Sequence, residues 1–383
     1  MDFELTSEQT LLRDSTRKLM ARHAPIEEVR RLDRERQYPE GLYRAWVEAG
    51  LFGLPFPEEY GGSNGDVIDM VLVAEEIART SADLMMAYGG NVFCGLNLLR
   101  KGSDEQKRHW LPRLISGDVK FSISISEPDA GSDVGAISTT AVRDGDHWVL
   151  NGQKVWASTA GAKDNVINIY VKTDTKAHYR NGVSLFLVDN TTPGLTLKKL
   201  DMLGRRSTGT YELILDNVRV PDDRLVGGVN RGWDCILSGL QVERVTSAAG
   251  NVGAAQAVVD LAAQYAKDRR QFGRPIGANQ AIAHMLADMA TEVEAARALT
   301  WLAASKIAAG GDALREISMA KLFSSEAYVK VASQGMQIFG GYGYSMEYDM
   351  QRWFRDSRAS TVAAGSSQMQ RNIIANLMGL KVQ

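Results

Sequence analysis

The chain has 383 residues, a formal net charge of −2, 44% hydrophobic residues and 23% charged residues. This length predicts two or three packed domains, because one domain usually spans about 100 to 200 residues. The near-neutral charge gives no basic surface excess, so we expect no nucleic-acid partner. The ordinary globular composition does not indicate a membrane protein.

The cysteine and histidine content argues against a metal enzyme. The two cysteines, Cys94 and Cys235, are too few for a disulfide framework or a cysteine-rich zinc site. No pair among the five histidines has metal-ligand spacing, so we expect no metal. The acidic N-terminus shows neither a secretory signal nor an arginine-rich transit peptide, which predicts a cytoplasmic protein.

Helical periodicity dominates the first third of the chain. A capping box, Thr6 with Gln9, begins the first predicted helix. Caps of this kind and apolar stripes predict helices over residues 6–22, 39–50, 67–79 and 104–115. We therefore predict that residues 1–119 form an N-terminal helical domain.

The middle of the chain changes to short runs of β-branched and aromatic residues separated by turns. Ser122, Ser124 and Ser126 alternate with apolar residues, which predicts a half-buried strand whose hydroxyls face something polar. An Asp-Gly pair at residues 144–145 predicts a hairpin turn. Residues 120–228 are predicted to form a β-barrel or sheet domain. Its other strands are predicted over residues 166–172, 183–188, 195–199 and 211–215.

Long helical periodicity returns in the last third. A glycine-rich break at residues 340–343 separates the long helices from a shorter final one. We predict that residues 229–383 form a four-helix bundle, which makes the whole chain an α+β protein of three domains. The predicted helices cover residues 232–265, 280–308, 312–339 and 368–378.

Motifs for other chemistries are weak or missing. Residues 61–65 fit the G-x-S-x-G pattern of a hydrolase nucleophile, but a proline-rich segment rather than a strand precedes them. We interpret them as a loop. The sequence contains neither a G-x-G-x-x-G after a predicted strand nor a P-loop, so a dinucleotide requires another scaffold.

Several separated motifs resemble the acyl-CoA dehydrogenase family, and the similarity covers nearly the whole chain. The predicted β domain is similar to the flavin-facing sheet of that family. The residues that carry the likeness are Ser126-Glu127-Pro128, Ala130-Gly131-Ser132-Asp133, Asn151-Gly152-Gln153-Lys154 and Trp156.

The resemblance implies that FAD is the cofactor. Ser126 and Ser158 match positions against the flavin ring, and Trp156 matches a residue that packs near it. Hydroxyl and backbone donors at such positions stabilise negative charge on a reduced flavin. Without the resemblance, the serine-rich strand is more simply a solvated sheet face.

The resemblance also implies that each FAD site is shared between subunits. The matching arginine, glutamine and phenylalanine of the family reach the FAD of a neighbouring subunit, so a homo-oligomer is expected, a tetramer by analogy. On its own, Arg269 fits a basic helix end. The remaining matches to FAD-binding positions are Gln271, Phe272, Gln337, Gly340, Gly341, Ser366 and Gln368.

The catalytic base departs from the common pattern of the family. Most members carry a glutamate in an aromatic-Glu-Gly-Thr segment near the C-terminus, but Ala364 stands at that position here. A minority, including isovaleryl-CoA dehydrogenase, carries the base in a Ser-Gly-Leu-x-x-Glu-Arg run, which residues 238–244 match. Glu243 is therefore the predicted base, although a lone helical glutamate is usually solvated.

The substrate side is less specific. Ser132 resembles a contact for the CoA end of the substrate, and Asn91 is predicted to form part of a wall. Small side chains at Ala363 and Ala364 leave room for a short branched, cyclic or polar acyl group. Arg244 is a further candidate for the substrate side. As the residue after Glu243, it points to a different side of the helix, so a structural role is the simpler interpretation.

The resemblance implies an FAD-dependent dehydrogenase that converts an acyl-CoA to a 2,3-enoyl-CoA and passes electrons to an electron-transferring flavoprotein. Three alternatives stay open. The first alternative is an enoyl-CoA reductase of the same fold. The second is a catalytically silent flavoprotein assembly subunit, and the third, with less support, is an oxidase. The acyl group, the direction of reaction and the choice between tetramer and dimer are likewise open.

Overall fold

The N-terminal helices begin where side-chain caps bind the first free backbone N–H groups. In the computed structural model, which describes residues 4–382, the capping residues Thr6, Asp66 and Ser103 each accept a hydrogen bond from the first turn of their helix. The helices are α1 (Ser7–His23), α2 (Ile26–Glu35), α3 (Glu40–Glu48), α4 (Val67–Thr80), α5 (Leu84–Lys101) and α6 (Asp104–Ile115).

Two of these helices, α2 and α5, were not predicted. Helix α5 is apolar over most of its surface and contains several glycines, so it lacks the polar stripe on which periodicity depends. The glycines permit close packing. A Cβ at Gly95 would lie 2.5 Å from Leu114 and 2.6 Å from Phe56. Helix α5 is therefore a central buried helix of the N-terminal domain.

The middle domain is an eight-stranded sheet with the order β6-β7-β3-β2-β4-β5-β8, and β1 pairs with β4 in parallel. The predicted hairpin turn joins β2 to β3, with Gly145 at φ 64°. The strands are β1 (Lys120–Ser124), β2 (Thr140–Asp144), β3 (His147–Ser158), β4 (Asn165–Lys172), β5 (Val183–Asp189), β6 (Leu195–Lys199), β7 (Thr210–Pro221) and β8 (Leu225–Val226).

Strand β1 corrects one expectation. Ser122 and Ser124 are only 1% and 2% exposed, and they lie in register with Ile167 and Ile169 of the sheet core. Ser122 donates to Asn165 Oδ1 at 2.6 Å. The alternating serines are thus buried inside the β domain, while the opposite face of β1 packs on the helical domain. Both faces are covered, so alternation did not indicate an open polar face.

The C-terminal domain is the predicted bundle of long helices. A two-stranded hairpin, β9 (Arg270–Gln271) with β10 (Arg274–Pro275), joins the first two of them. The bundle has its own apolar core, but α7 also packs into the N-terminal core. Its helices are α7 (Gly232–Asp268), α8 (Gln280–Ala308), α9 (Leu314–Phe339), α10 (Gly341–Tyr344), α11 (Met350–Ser357) and α12 (Ser367–Leu377).

The predicted α+β class with helical, sheet and helical segments is confirmed. The predicted boundaries after residues 119 and 228 fall between regular elements. Among the helices of residues 4–382, none is both long enough and apolar enough to cross a membrane.

Candidate active site

A buried ion pair fixes the loop that follows β1. Lys154 of β3 has no exposed surface, and its Nζ donates to Glu127 Oε1 at 2.8 Å and to the Ile125 carbonyl at 2.9 Å. Glu127 also accepts from the backbone N–H groups of Ser138 and Thr139. Ser126, between the two anchored residues, is therefore held in place from both sides.

The electrostatics show that this ion pair is costly to bury. Burial lowers the pKa of Lys154 to about 8, even with Glu127 opposite. Burial alone acts to raise the pKa of Glu127, but the Lys154 charge and the hydrogen bonds at Ser138 and Thr139 lower it to about 2. Such a pair specifies geometry more than it adds net stability.

Trp156 projects from the sheet at an irregularity in β3. The register with β7 shifts between Lys154 and Ala157, and Trp156 adopts φ 64° with 59% of its surface exposed. A bulge of this kind re-aims a side chain. Ser158 lies two residues further on and is partly exposed. The Val155 N–H donates to the Ser126 carbonyl at 2.9 Å, which brings Ser126 beside this segment.

Ser132 lies in the exposed loop between Glu127 and Val134. The loop begins with the paired residues Glu127 and Ala130, whose backbone N–H groups each bond the carbonyl of the other. Ser132 itself is exposed.

Glu243 lies on α7, where that helix packs against the N-terminal domain. Its side chain is partly buried. Burial raises its pKa, and the charges of Arg244 and Lys321 oppose that rise. A carboxylate whose pKa is moved toward neutrality is suited to proton transfer.

Polar side chains from α5 and β4 lie near Glu243. The charge of Glu243 contributes to raising the pKa values of the buried Cys94 and Tyr170, after burial itself, which is the main cause. Tyr170 is within 3.5 Å of Asn97 Nδ2, which donates to its hydroxyl oxygen. Glu243 is thus the acidic member of a polar cluster to which all three domains contribute side chains.

The structure brings the C-terminal segment against the same part of α7. A Cβ built on Gly365 would lie 3.5 Å from Arg244 Nη2. Ala364 and Gly365 both adopt positive φ, 56° and 83°, so the chain turns sharply here. Arg244, the residue after Glu243, therefore lies beside the turn that holds Ala364 at the position of the usual base. Ala363 is exposed on this turn.

Several of the predicted cofactor residues line two separate cavities, one beside the middle of α9 and one at its C-terminal end. The first, of about 710 Å³, contains Ser366 and Gln368 together with Arg358 and Lys330. Ser366 caps α12, accepting from the Met369 N–H at 3.3 Å, so the amino end of that helix opens into the cavity. Backbone N–H groups at such an end favour an anionic group.

The second cavity, of about 610 Å³, contains Arg269, Gln271, Gly340 and Gly341. Arg269 lies over the ring of Tyr342, 5.2 Å from its centroid. Gln337 is exposed on the last turn of α9, and Phe272 at the tip of the β9–β10 hairpin is 100% exposed. The fully exposed Phe272 extends away from the chain that carries it.

Asn91 does not offer a free group to a ligand. It is 1% exposed, and its amide donates to the Ala87 carbonyl at 2.6 Å and accepts from the Phe121 N–H at 2.6 Å. The expected substrate wall at this position is replaced by a structural link between α5 and β1. Nothing in the sequence pattern distinguished these roles.

Sequence reasoning missed Lys154 and Lys321 as parts of the site. Both are 0% exposed, which is rare for lysine. Lys154 belongs to the motif at residues 151–154, whose likeness to the family assigns no role to the lysine itself. Lys321 lies in an ordinary amphipathic helix, so no local signal distinguished it from a solvated lysine.

The residues present fit FAD. Gln334 Oε1, a buried polar atom without a partner among the described residues, lies in the first cavity, where a polar group of a ligand can satisfy it. Gly340 and Gly341 leave open space for close backbone approach in the second cavity. No cluster of metal-binding side chains occurs within residues 4–382.

Comparisons with known proteins agree with the three-domain fold. Family models match in sequence order: the acyl-CoA dehydrogenase N-terminal domain over residues 6–118, the middle domain over residues 122–218 and the C-terminal domain over residues 230–379. An acyl-CoA dehydrogenase of Bacillus subtilis is 38% identical over 98% of each chain.

Two further relatives extend the comparison. The caffeyl-CoA reductase-Etf complex subunit CarC of Acetobacterium woodii is 36% identical over 97% of this chain and 98% of its own. The structure of the glutaryl-coenzyme A dehydrogenase glutaryl-CoA complex superposes with a TM-score of 0.94 and 38% identity, covering 100% of this chain and 98% of that one.

The fold and the site define a flavin-dependent oxidoreductase with FAD as its cofactor. The chain belongs to the acyl-CoA dehydrogenase family.

Proposed function

We propose that this chain is an acyl-CoA dehydrogenase in which Glu243 removes the α-proton of a short branched, cyclic or polar acyl-CoA. The observation that carries the proposal is the position of Glu243 on α7, one residue before Arg244, whose Nη2 lies close to the Ala364–Gly365 turn. The usual base position in that turn has no carboxylate, and Glu243 is the acidic side chain whose charge acts on Arg244. The raised pKa of Glu243 supports a role in proton transfer.

FAD, when bound, supplies the acceptor for the β-hydride. The chain's own residues position and deprotonate the substrate. The ionised carboxylate of Glu243 takes the α-proton, and the β-hydrogen leaves with its electron pair, so a 2,3-double bond forms. Both departures require close alignment, which the buried Lys154–Glu127 pair supports by fixing Ser126 and the neighbouring loop. Ser132 in that loop is assigned to the CoA end.

Cofactor binding is proposed to involve both cavities. Ser126, Trp156 and Ser158 face the flavin ring, and Ser366 and Gln368 in the first cavity bind the same FAD. The second cavity, with the hairpin carrying Phe272, then serves a neighbouring subunit. The exposed Phe272 supports this arrangement, because a fully exposed phenylalanine is a typical interface residue. We therefore propose a homotetramer.

The electron acceptor is proposed to be an electron-transferring flavoprotein. A relative of this chain is named as a subunit of a reductase-Etf complex, which supports that class of partner. The same relative supports one alternative, in which Glu243 is the acid of an enoyl-CoA reductase.

Anaerobic titration of the purified flavoprotein tests the function. Acyl-CoAs with straight, branched, cyclic and carboxylated acyl groups are added, and flavin absorbance near 450 nm is followed. We expect bleaching by at least one thioester and recovery of colour on adding an electron-transferring flavoprotein. A protein that stays oxidised with every acyl-CoA, while its photoreduced form is reoxidised by enoyl-CoA, is a reductase. A protein that responds to neither is a silent subunit.

A further inference from the structure

Lys321 of α9 is a buried lysine that no carboxylate of the described chain pairs with. It has no exposed surface, and its Nζ donates to the carbonyls of Ser360 at 3.0 Å and Gly365 at 2.7 Å. No ion pair joins it to an acidic residue within residues 4–382. Burying an ammonium group with only two carbonyl acceptors is costly, so its retention requires a further reason.

The segment that Lys321 binds is the sharp turn before α12. Ala364 and Gly365 are consecutive left-handed residues, and Gln370 Nε2 donates to the same Gly365 carbonyl at 3.1 Å. A Cβ on Gly365 would approach Gln370 Nε2 to 2.8 Å, so the turn is tightly enclosed. The position of Ser366, the next residue and the cap of α12, depends on this turn.

The charge of Lys321 also reaches Glu243. Burial, with Arg244 and Arg205 nearby, lowers the pKa of Lys321 to about 8, while Glu243 and Glu326 oppose that effect. In return, Arg244 and Lys321 stabilise the ionised form of Glu243 against burial. The other titratable groups facing Glu243 are Cys94 of α5 and Tyr170 of β4, and both are neutral at ordinary pH.

We propose that Lys321 is a positioning residue that links the two halves of the site. Its ammonium group fixes the Ser360–Gly365 turn, which places the cofactor-binding residues Ser366 and Gln368. A second, electrostatic role follows from the charge of Lys321, which favours the ionised, proton-accepting carboxylate of Glu243. The role in fixing the turn is tested by FAD binding alone and does not depend on the role of Glu243. The electrostatic role rests on the proposed function of Glu243.

Three variants separate the two roles. Lys321→Met removes the donors and the charge at nearly constant length. Lys321→Gln removes the charge but keeps a hydrogen-bond donor, and it serves in place of the methionine variant if that protein does not fold. Gln370→Met removes the other side-chain donor to Gly365 without changing any charge. Far-ultraviolet circular dichroism checks that each variant is folded.

The first readout is the affinity of the apoprotein for FAD, followed by quenching of flavin fluorescence at pH 7. A hydrogen bond from a charged group contributes about 1.5 to 3 kcal/mol, which is about a 10- to 150-fold change in affinity. We expect Lys321→Met to weaken FAD binding by about 10-fold or more and Gln370→Met to weaken it less. An unchanged affinity in every Lys321 variant overturns the role in fixing the turn.

The second readout is the pH dependence of flavin reduction by an acyl-CoA that bleaches the unmodified protein. Loss of the Lys321 charge raises the pKa of Glu243, so the acid limb of kcat/KM moves to higher pH in both Lys321 variants and stays in place in Gln370→Met. An acid limb that does not move in the Lys321 variants overturns the electrostatic role. If Glu243→Gln retains full turnover, the proposed base is wrong, while the FAD affinity still decides the role of the turn.

Discussion

The two lysines without exposed surface, Lys154 and Lys321, are held in different ways. Lys154 has a carboxylate partner, Glu127, and both belong to the middle domain. Lys321 donates only to the carbonyls of Ser360 and Gly365, and the acids whose charge acts on it are Glu243 on α7 and Glu326 on its own helix. Lys154 therefore has its charged partner within its own domain, whereas Lys321 is surrounded by groups from several segments of the C-terminal domain.

We therefore expect substitutions at the two lysines to change different properties of the protein. Changes at the Lys154–Glu127 pair leave a buried charge without a partner and are expected to lower the free energy of unfolding. Changes at Lys321 are expected to alter FAD affinity and the pH profile more than stability.

The largest stability effect is expected for Lys154→Met. Removing one partner of a buried ion pair leaves Glu127 charged and buried, which costs about 3 to 5 kcal/mol. The free energy of unfolding from urea denaturation measures this cost. Lys163→Met, at a side chain that is 81% exposed, is the matched control and is expected to change stability by less than about 0.5 kcal/mol. A loss below about 1 kcal/mol for Lys154→Met contradicts the account.

The same pair predicts a pH dependence. The folded-state pKa of Glu127 is about 2, below its ordinary value of 4.5. The unfolded chain therefore takes up the proton first as pH falls, and the stability from Glu127 is present above about pH 4.5 and is lost toward pH 2. Thermal melting between pH 6 and pH 3 is expected to show a smaller loss for Glu127→Gln than for the unmodified protein. If the melting temperatures of Glu127→Gln and the unmodified protein fall equally between pH 6 and pH 3, the assigned pH dependence of Glu127 is wrong.

A smaller effect is expected for Asn91→Ala, which separates a structural from a substrate role. The change leaves the Phe121 N–H buried without its acceptor, and an unsatisfied buried group costs about 1 to 3 kcal/mol. We expect this loss of stability in urea denaturation. The KM of the folded variant for its acyl-CoA is expected to differ from that of the unmodified protein by less than about 3-fold. A large rise in KM without a loss of stability returns Asn91 to the substrate wall. Asn181→Ala on an exposed loop is the control.

The fold was largely predictable because its long helices and caps are local features. The helix over Gln280–Ala308 was predicted with the observed bounds, and the capping boxes at Thr6 and Ser103 start helices as expected. Helix α5 was missed because burial on all sides removes periodicity. The serines of β1 were misassigned because burial of both strand faces depends on which domains pack there.

The candidate site was predictable only in part. Motif likeness pointed to Trp156 and to the segment around Ser366, and the gap at Ala364 drew attention to Glu243. The contacts of Lys321 with Gly365, and of Arg244 with the same turn, join residues far apart in the chain. Sequence spacing carries no information about such contacts, because they arise from helix packing in the bundle.

The most direct test of the account is the anaerobic rate of flavin reduction in Glu243→Gln, measured by stopped flow with an acyl-CoA that bleaches the unmodified protein. Positioned general bases contribute about 10²- to 10⁴-fold, so we expect the rate to fall by about 10³-fold while FAD stays bound. Glu294→Gln, at an exposed position of α8, is expected to retain the rate within about 2-fold. Reduction of Glu243→Gln within about 10-fold of the unmodified rate contradicts the assignment of Glu243 as the base.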